Sequence, residues 1–211
     1  MKQVDGHDAA FWPLLHAIAS GDAATASRLL DAAPPLALMA APMGATRASA
    51  SPYFLEEIEH HVYAGDTALH IAAAAYREDI ARALVAHAAN PSASNRRGAA
   101  PLHYAADGHP GSVRWNPTAQ ATTIVFLIRA GADPNAADTN GATPLHRAVR
   151  TRCAAAVRTL IEHGGDVNAR NKSGSTPLEL AHHNPGRGGS GSLLAKAQQE
   201  AIITLLSTHG G

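Results

Sequence analysis

Leucine marks this chain at regular intervals. Leu15 and Leu30 are 15 residues apart, as are Leu69 and Leu84, and Leu145 and Leu160. Each pair spans two short, alanine-rich apolar stretches, the pattern of two helices whose apolar faces meet. The first leucines of successive units, Leu69, Leu102, Leu145 and Leu178, are separated by 33, 43 and 33 residues. In the third unit Leu127 follows Leu102 by 25, so ten residues are inserted between its helices, and this accounts for the long gap. Polar segments close the units: HAANPSASNRRG at 87–98, AGADPNAADTNG at 130–141 and HGGDVNARNKSG at 163–174. Their Gly, Asp/Asn and Pro residues mark a turn and a hairpin-like crossing. A period near 33 made of turn, helix, helix predicts an all-α solenoid.

The start of each helix pair repeats a phrase: GDTALHIAA at 65–73, GAAPLHYAA at 98–106, GATPLHRAV at 141–149 and GSTPLELAH at 174–182. Thr143 suits an N-cap, where its hydroxyl accepts from an orphan amide. Pro144 suits the first helical position, where no N–H is needed. Leu145 and Ala148 face the core. The Thr-Pro-Leu-His phrase, the Gly-Ala-Asp-x-Asn-Ala phrase and the spacing together resemble the ankyrin repeat family, over residues 12–36 and 64–211. Ala68, Ala100 and Glu179 depart from the phrase, in place of Pro, Thr and His. The resemblance implies five helix-turn-helix units, at 12–36, 64–97, 98–140, 141–173 and 174–211, with an insertion at 37–63. The first and last units are expected as caps, the last ending where another hairpin would begin. The resemblance also gives His146 a hydrogen bond to the neighbouring hairpin backbone.

Composition narrows the function. Lys plus Arg and Asp plus Glu balance at 17 each, so no net field draws the chain to nucleic acid or membrane. No aromatic interleaving offers a base-stacking surface. The longest apolar run, LALMAAPM at 36–43, is too short to span a bilayer. Cys153 is the only cysteine, which excludes an intrachain disulfide. The N-terminal MKQVDGHDAAFW has no signal-peptide core. The expectation is a cytoplasmic monomer without cofactor, and a secreted-effector role also stays open because some bacteria use the family so.

A solenoid offers a broad concave surface. By resemblance, its variable recognition positions flank the repeated phrase. They map to Asp66, Ala74 and Ala75; to Arg96, Arg97, Ala99 and Asp107; to Thr139, Asn140, Ala142, Arg150 and Thr151; and to Lys172, Ser173, Ser175, His183 and Asn184. The surface turns basic at Arg96, Arg97, Arg150 and Lys172, with Arg147 and Arg152 nearby. That suits an acidic protein or peptide partner. Solvated charges that keep an alanine-rich protein dissolved are the plainer account.

Three insertions individualise the chain. In the first, counted from Leu36 to residue 63, the second half predicts a short helix with Phe54, Leu55 and Ile58 on one face. It either patches the junction between the first two units or folds over the groove. The second, GHPGSVRWNPTAQ at 108–120, presents Trp115 beside Arg114, as an interface anchor or as a pin for its own loop. The third, at 182–194, is glycine- and serine-rich and reads as flexible.

Catalytic patterns are weak. His70, His103 and His146 recur at repeat spacing, and helices stack about 8–10 Å apart, too far to share one ion. In EEIEHH at 56–61, Glu56 with His60 and Glu57 with His61 are four apart, which ordinary helix pairing explains. Cys153 is expected half-buried in a helix turn, and GRGGSG at 186–191 lacks the lysine of a phosphate loop. The leading expectation is a non-catalytic module that binds a protein or peptide through Asp66, Arg96, Arg97, Tyr104, Asp107, Trp115, Thr139, Asn140, Arg147, Arg150 and Lys172. The alternative is an enzyme or small-ligand protein, with a pocket between the insertion 36–63 and the first helices. Asp66, His60, His61, Asp107 and Tyr104 would line it.

Overall fold

In each repeated phrase an extended residue hands over to a helix that a proline or alanine can start. The computed structural model describes residues 6–113, 115–183 and 193–210. The glycine-serine core of the third insertion, with Asn184, and Arg114 of the second lie outside these. The helices pair along the chain as α1 (Gly6–Ser20) with α2 (Ala23–Ala32), α3 (Ala68–Ala74) with α4 (Glu78–Ala86), and α5 (Pro101–Ala106) with α6 (Pro117–Arg129). Then follow α7 (Pro144–Arg150) with α8 (Ala154–Glu162), and α9 (Pro177–His183) with α10 (Leu193–His209). The first helices pack in the order α1, α3, α5, α7, α9, and the second helices in the order α2, α4, α6, α8, α10. The result is two helical layers, the all-α solenoid that the leucine spacing predicts.

The paired leucines fill the space between the layers. Leu15, Leu30, Leu69, Leu84, Leu102, Leu127, Leu145 and Leu160 are all fully buried, each contributing about 1.5–3 kcal/mol. The last unit departs by one residue: Ile202 and Leu206 enter the core, while Leu205 is only half-buried. Cys153 lies deeper than expected, fully buried at the start of α8.

Two backbone devices stitch unit to unit. The finger between units donates to the preceding one: Arg96 N–H to Ala64 O, Thr139 N–H to Arg97 O and Lys172 N–H to Asn140 O, each at 2.9 Å. Inside each finger an Asx side chain closes the turn. Asn95 Oδ1 accepts from the amides of Arg97 and Ala99, Asp138 Oδ1 from Asn140 and Ala142, and Asn171 Oδ1 from Ser173 and Ser175. Gly141 closes one finger at φ +72°, and a Cβ there would come within 2.8 Å of Lys172 N.

The second device is the histidine of the repeated phrase. Its Nδ1 accepts the amide three residues back: Thr67 to His70 at 3.1 Å, Ala100 to His103 at 3.1 Å, Thr143 to His146 at 3.2 Å. Because an amide can only donate, Nδ1 is unprotonated and Nε2 carries the hydrogen. Nε2–H then donates to the next unit's carbonyl, at Ala99, Ala142 and Ser175 respectively, over 2.9–3.1 Å. Glu179, which replaces the histidine in the last unit, accepts the Thr176 amide at 2.7 Å and so keeps the capping half of the arrangement.

The first insertion corrects an expectation. Residues 54–61 form no helix; they make an antiparallel hairpin of β1 (Phe54–Leu55) and β2 (His60–His61), with Phe54 opposite His61 and Leu55 opposite His60. Glu59, at φ +52°, lies in its turn. The pairs Glu56/His60 and Glu57/His61 therefore do not share a helix face. The physical reason is tertiary: Leu55 and Val62 are buried at 1% and 0%, and Val62 N–H donates to Tyr53 O at 2.7 Å. Leu36 and Ala41 are buried with them. The segment is part of the core and does not lie loosely over it.

Candidate functional site

The insertion lies against the inner helices. Tyr53 packs on Trp12 of α1, with ring centroids 5.8 Å apart, and His60 packs on Tyr104 of α5 at 4.8 Å. Beneath it is a buried polar knot. The Asp66 carboxylate accepts from the Tyr63 amide at 2.7 Å, from Asn95 Nδ2 at 2.8 Å and from the Tyr104 hydroxyl at 2.8 Å. Asp66 is 0% and Tyr104 2% exposed. Burial, reinforced by the Asp66 charge, pushes the Tyr104 phenol far above its usual range. Both residues were expected as recognition positions; the structure places them inside, where they fix the insertion against the third unit.

The arginines are also occupied. Arg96 donates to Ala45 O in the insertion at 3.1 Å, and the Arg97 guanidinium lies 4.1 Å from the Tyr63 ring centre. Arg147 bridges Asp107 at 2.8 Å and Asp138 at 3.1 Å, and Arg150 approaches Asp107 at 3.5 Å. Most of the basic stripe in the sequence thus serves internal contacts, because folding brings acids and an aromatic ring to it from other units. Thr139, Asn140 and Lys172 remain exposed at the finger tips.

The first and second insertions converge. His109 Nδ1 of the second lies 3.7 Å from Glu59 Oε2 of the first. Between the hairpin turn and the loop after α5 is a cavity of roughly 420 Å³, open to solvent, with the C-terminal ends of α1, α3 and α5 beneath it. Tyr104, Asp107, Trp115 and His60, all singled out in the sequence, line it; Asp66 does not. His61 sits on the other side of the hairpin pair, its ring 4.8 Å from Phe54. Trp115 is half-buried and donates Nε1–H to Gln120 Oε1 at 2.9 Å, so it pins its loop while presenting a face to the cavity. Gly108 permits this closeness: a Cβ there would meet Cys153 Sγ at 2.4 Å.

Burial perturbs ionisable groups at the cavity and beneath it. Burial lowers the His60 pKa, and its Nε2 is shielded from solvent without a hydrogen-bond partner. Burial pushes the Cys153 thiol up to about 12. Among the described residues, no group of three or more His, Cys, Asp or Glu could hold a metal ion. Tyr76, Arg77 and His109, which no sequence pattern singles out, also line the cavity. Arg77 had no distinguishing signal, since it lies outside the repeated phrase and only the fold brings the hairpin turn near it.

Comparison with protein families returns one answer along most of the chain. A model of ankyrin repeats in three copies matches residues 14–115, a single-repeat model matches 97–139, and a many-copy model matches 127–181. The chain belongs to the ankyrin repeat family. A search of curated proteins found no significant match. Ankyrin repeats are in general protein–protein interaction modules, and among the described residues no helix of this ankyrin-repeat chain is long and apolar enough to cross a membrane.

Proposed function

We propose that this ankyrin-repeat chain is a non-catalytic module whose partner lies along the concave face of the third to fifth units and abuts the cavity between the two insertions. One observation carries the reading. The insertion closes the inner face of the first units with its own buried side chains, while Thr139, Asn140 and Lys172 stay exposed on the uncovered part. Exposed polar finger tips on a rigid, backbone-stitched scaffold favour a surface read by an extended partner. The deep burial of Cys153 and the shielding of His60 Nε2 argue against nucleophilic or acid–base work at the cavity.

Affinity purification from the native cell, comparing wild type with the Thr139→Arg/Asn140→Arg/Lys172→Glu variant, tests this. A partner recovered by wild type and lost by the variant is expected. Identical recovery would refute the surface. The cavity volume favours a second reading, a small-molecule site, since such pockets span on the order of 300–1,000 Å³. Native mass spectrometry of the protein purified from its source would show an added small-molecule mass if that reading holds.

A further inference from the structure

The cavity wall is acidic on its hairpin side. Glu57, Glu59 and Asp107 line the cavity against one guanidinium, that of Arg77. Asp107 is balanced by Arg147 at 2.8 Å and Arg150 at 3.5 Å. The other two carboxylates flank Ile58 in the hairpin turn, and both side chains are exposed. Glu57 lies 3.6 Å from His16 and Glu59 3.7 Å from His109. A histidine cancels a carboxylate only when it carries a proton, so neither contact removes the charge of the turn while the rings are neutral. Burial lowers the His60 pKa, and that ring adds no positive charge at neutral pH.

Arg77 does not answer the charge of the turn. Its guanidinium lies over the backbone of Gly21, between α1 and α2, so closely that a Cβ on Gly21 would meet Arg77 Cζ at 2.4 Å. Its Nε is closed off from solvent there. The remaining walls are largely aromatic. Trp115 is held by its Nε1–H on Gln120 Oε1, and Tyr76 by its hydroxyl on Asp107 O. Ring faces attract a cation and pack against the methylene stem that carries it. Carboxylates beside held aromatic rings, in a cavity open to solvent, suit a long side chain that ends in a positive charge.

We propose that the cavity receives a Lys or Arg side chain of the peptide partner, its stem along Trp115 and Tyr76 and its charge at Glu57 and Glu59. This rests on the peptide-binding reading above and gives it a chemistry. A volume of roughly 420 Å³ admits a long side chain and its neighbour and no folded element. The acidic partner expected from the sequence has little to hold at this end of the groove, since Arg97 lies on Tyr63 and Arg147 and Arg150 face Asp107.

The test is selection of a displayed random dodecapeptide library on the intact chain, followed by affinity measurement on synthetic copies of the enriched peptides. Enriched peptides are expected to share a Lys or Arg. Exchanging that base for Met, which keeps an apolar stem and removes the charge, is expected to weaken binding about tenfold. Glu57→Gln/Glu59→Gln is expected to weaken it about fivefold, because the aromatic contact remains. Glu200→Gln, an exposed position on α10 of the last unit, is expected to leave affinity unchanged. The exchange in the peptide needs no variant protein and serves if the double variant does not fold. Enriched peptides without a base, affinity indifferent to its exchange or to the double variant, or an equal loss with Glu200→Gln would overturn this inference and leave peptide binding standing. Enrichment of nothing would overturn the peptide-binding reading and the inference with it.

Discussion

Acid should loosen this array, and His103 sets a measurable share of the effect. Its ring is fully buried, with Nδ1 accepting the Ala100 amide and Nε2 donating to Ala142 O across the unit boundary. Protonation would remove the acceptor. Burial, aided by the Arg147 charge and opposed by the Ala142 bond and by Asp138 and Asp107, lowers its pKa from 6.5 to about 4. The unfolded chain therefore takes up the proton first as pH falls. The contribution of His103 is complete above its ordinary value and is lost between that value and about 4. The full loss is roughly 3 kcal/mol at 1.36 kcal/mol per unit, of which about 2 kcal/mol falls between pH 7 and pH 5. Urea unfolding at these two pH values, on wild type and His103→Gln, isolates the residue. The variant is expected to be less stable at pH 7, and its further loss on acidification should be smaller than that of wild type by about 2 kcal/mol. Equal losses in the two proteins, or an imidazole resonance of His103 that titrates near its ordinary value, would refute the reasoning. His60, His70 and His146 are shifted in the same direction by burial, so the wild-type loss should exceed the His103 share.

Other perturbations have clear signs. Ala88 sits exposed at φ +65°, in the turn where the next two units carry Gly131 and Gly164 at positive φ; Ala88→Gly is expected to raise stability by up to about 1 kcal/mol in a denaturant melt. Tyr104→Phe removes a donor from the buried Asp66 carboxylate and should cost about 1–3 kcal/mol, read by thermal unfolding. Gly141→Ala puts a Cβ within 2.8 Å of Lys172 N in a left-handed turn and should cost more than about 1 kcal/mol; faster hydrogen exchange of the Lys172 amide would report it.

The repeat was legible because its constraints are local and periodic. Thr143, Pro144, Leu145 and His146 each answer to a requirement of one helix start, and the same requirements recur one unit later. The insertion was not legible. Glu56, Glu57, His60 and His61 carry a spacing that fits a helix, yet Val62 exchanges backbone hydrogen bonds with Tyr53 and Ala45, which an extended segment allows and a helix does not. No pattern within eight residues encodes that demand. The site was half legible for the same reason. Trp115 and Asp107 stood out by type and position, but whether an arginine is free depends on which acids fold against it. Arg147 finds Asp107 40 residues away, whereas Arg77 forms no ion pair among the described residues.

The clamp made by residues 37–63 also changes how the molecule comes apart. A plain stack of repeats frays one unit at a time from either end, since each unit leans only on its neighbours. Here Tyr53 on Trp12, His60 on Tyr104 and Arg96 on Ala45 fasten the first three units to one another through a single segment. The front of the array must open together or stay shut. Dissolution therefore begins at the tail, where fingers, helix faces, the His146 link and the Ala154 amide on Gln198 hold adjoining units, and no segment among the described residues fastens three units at once.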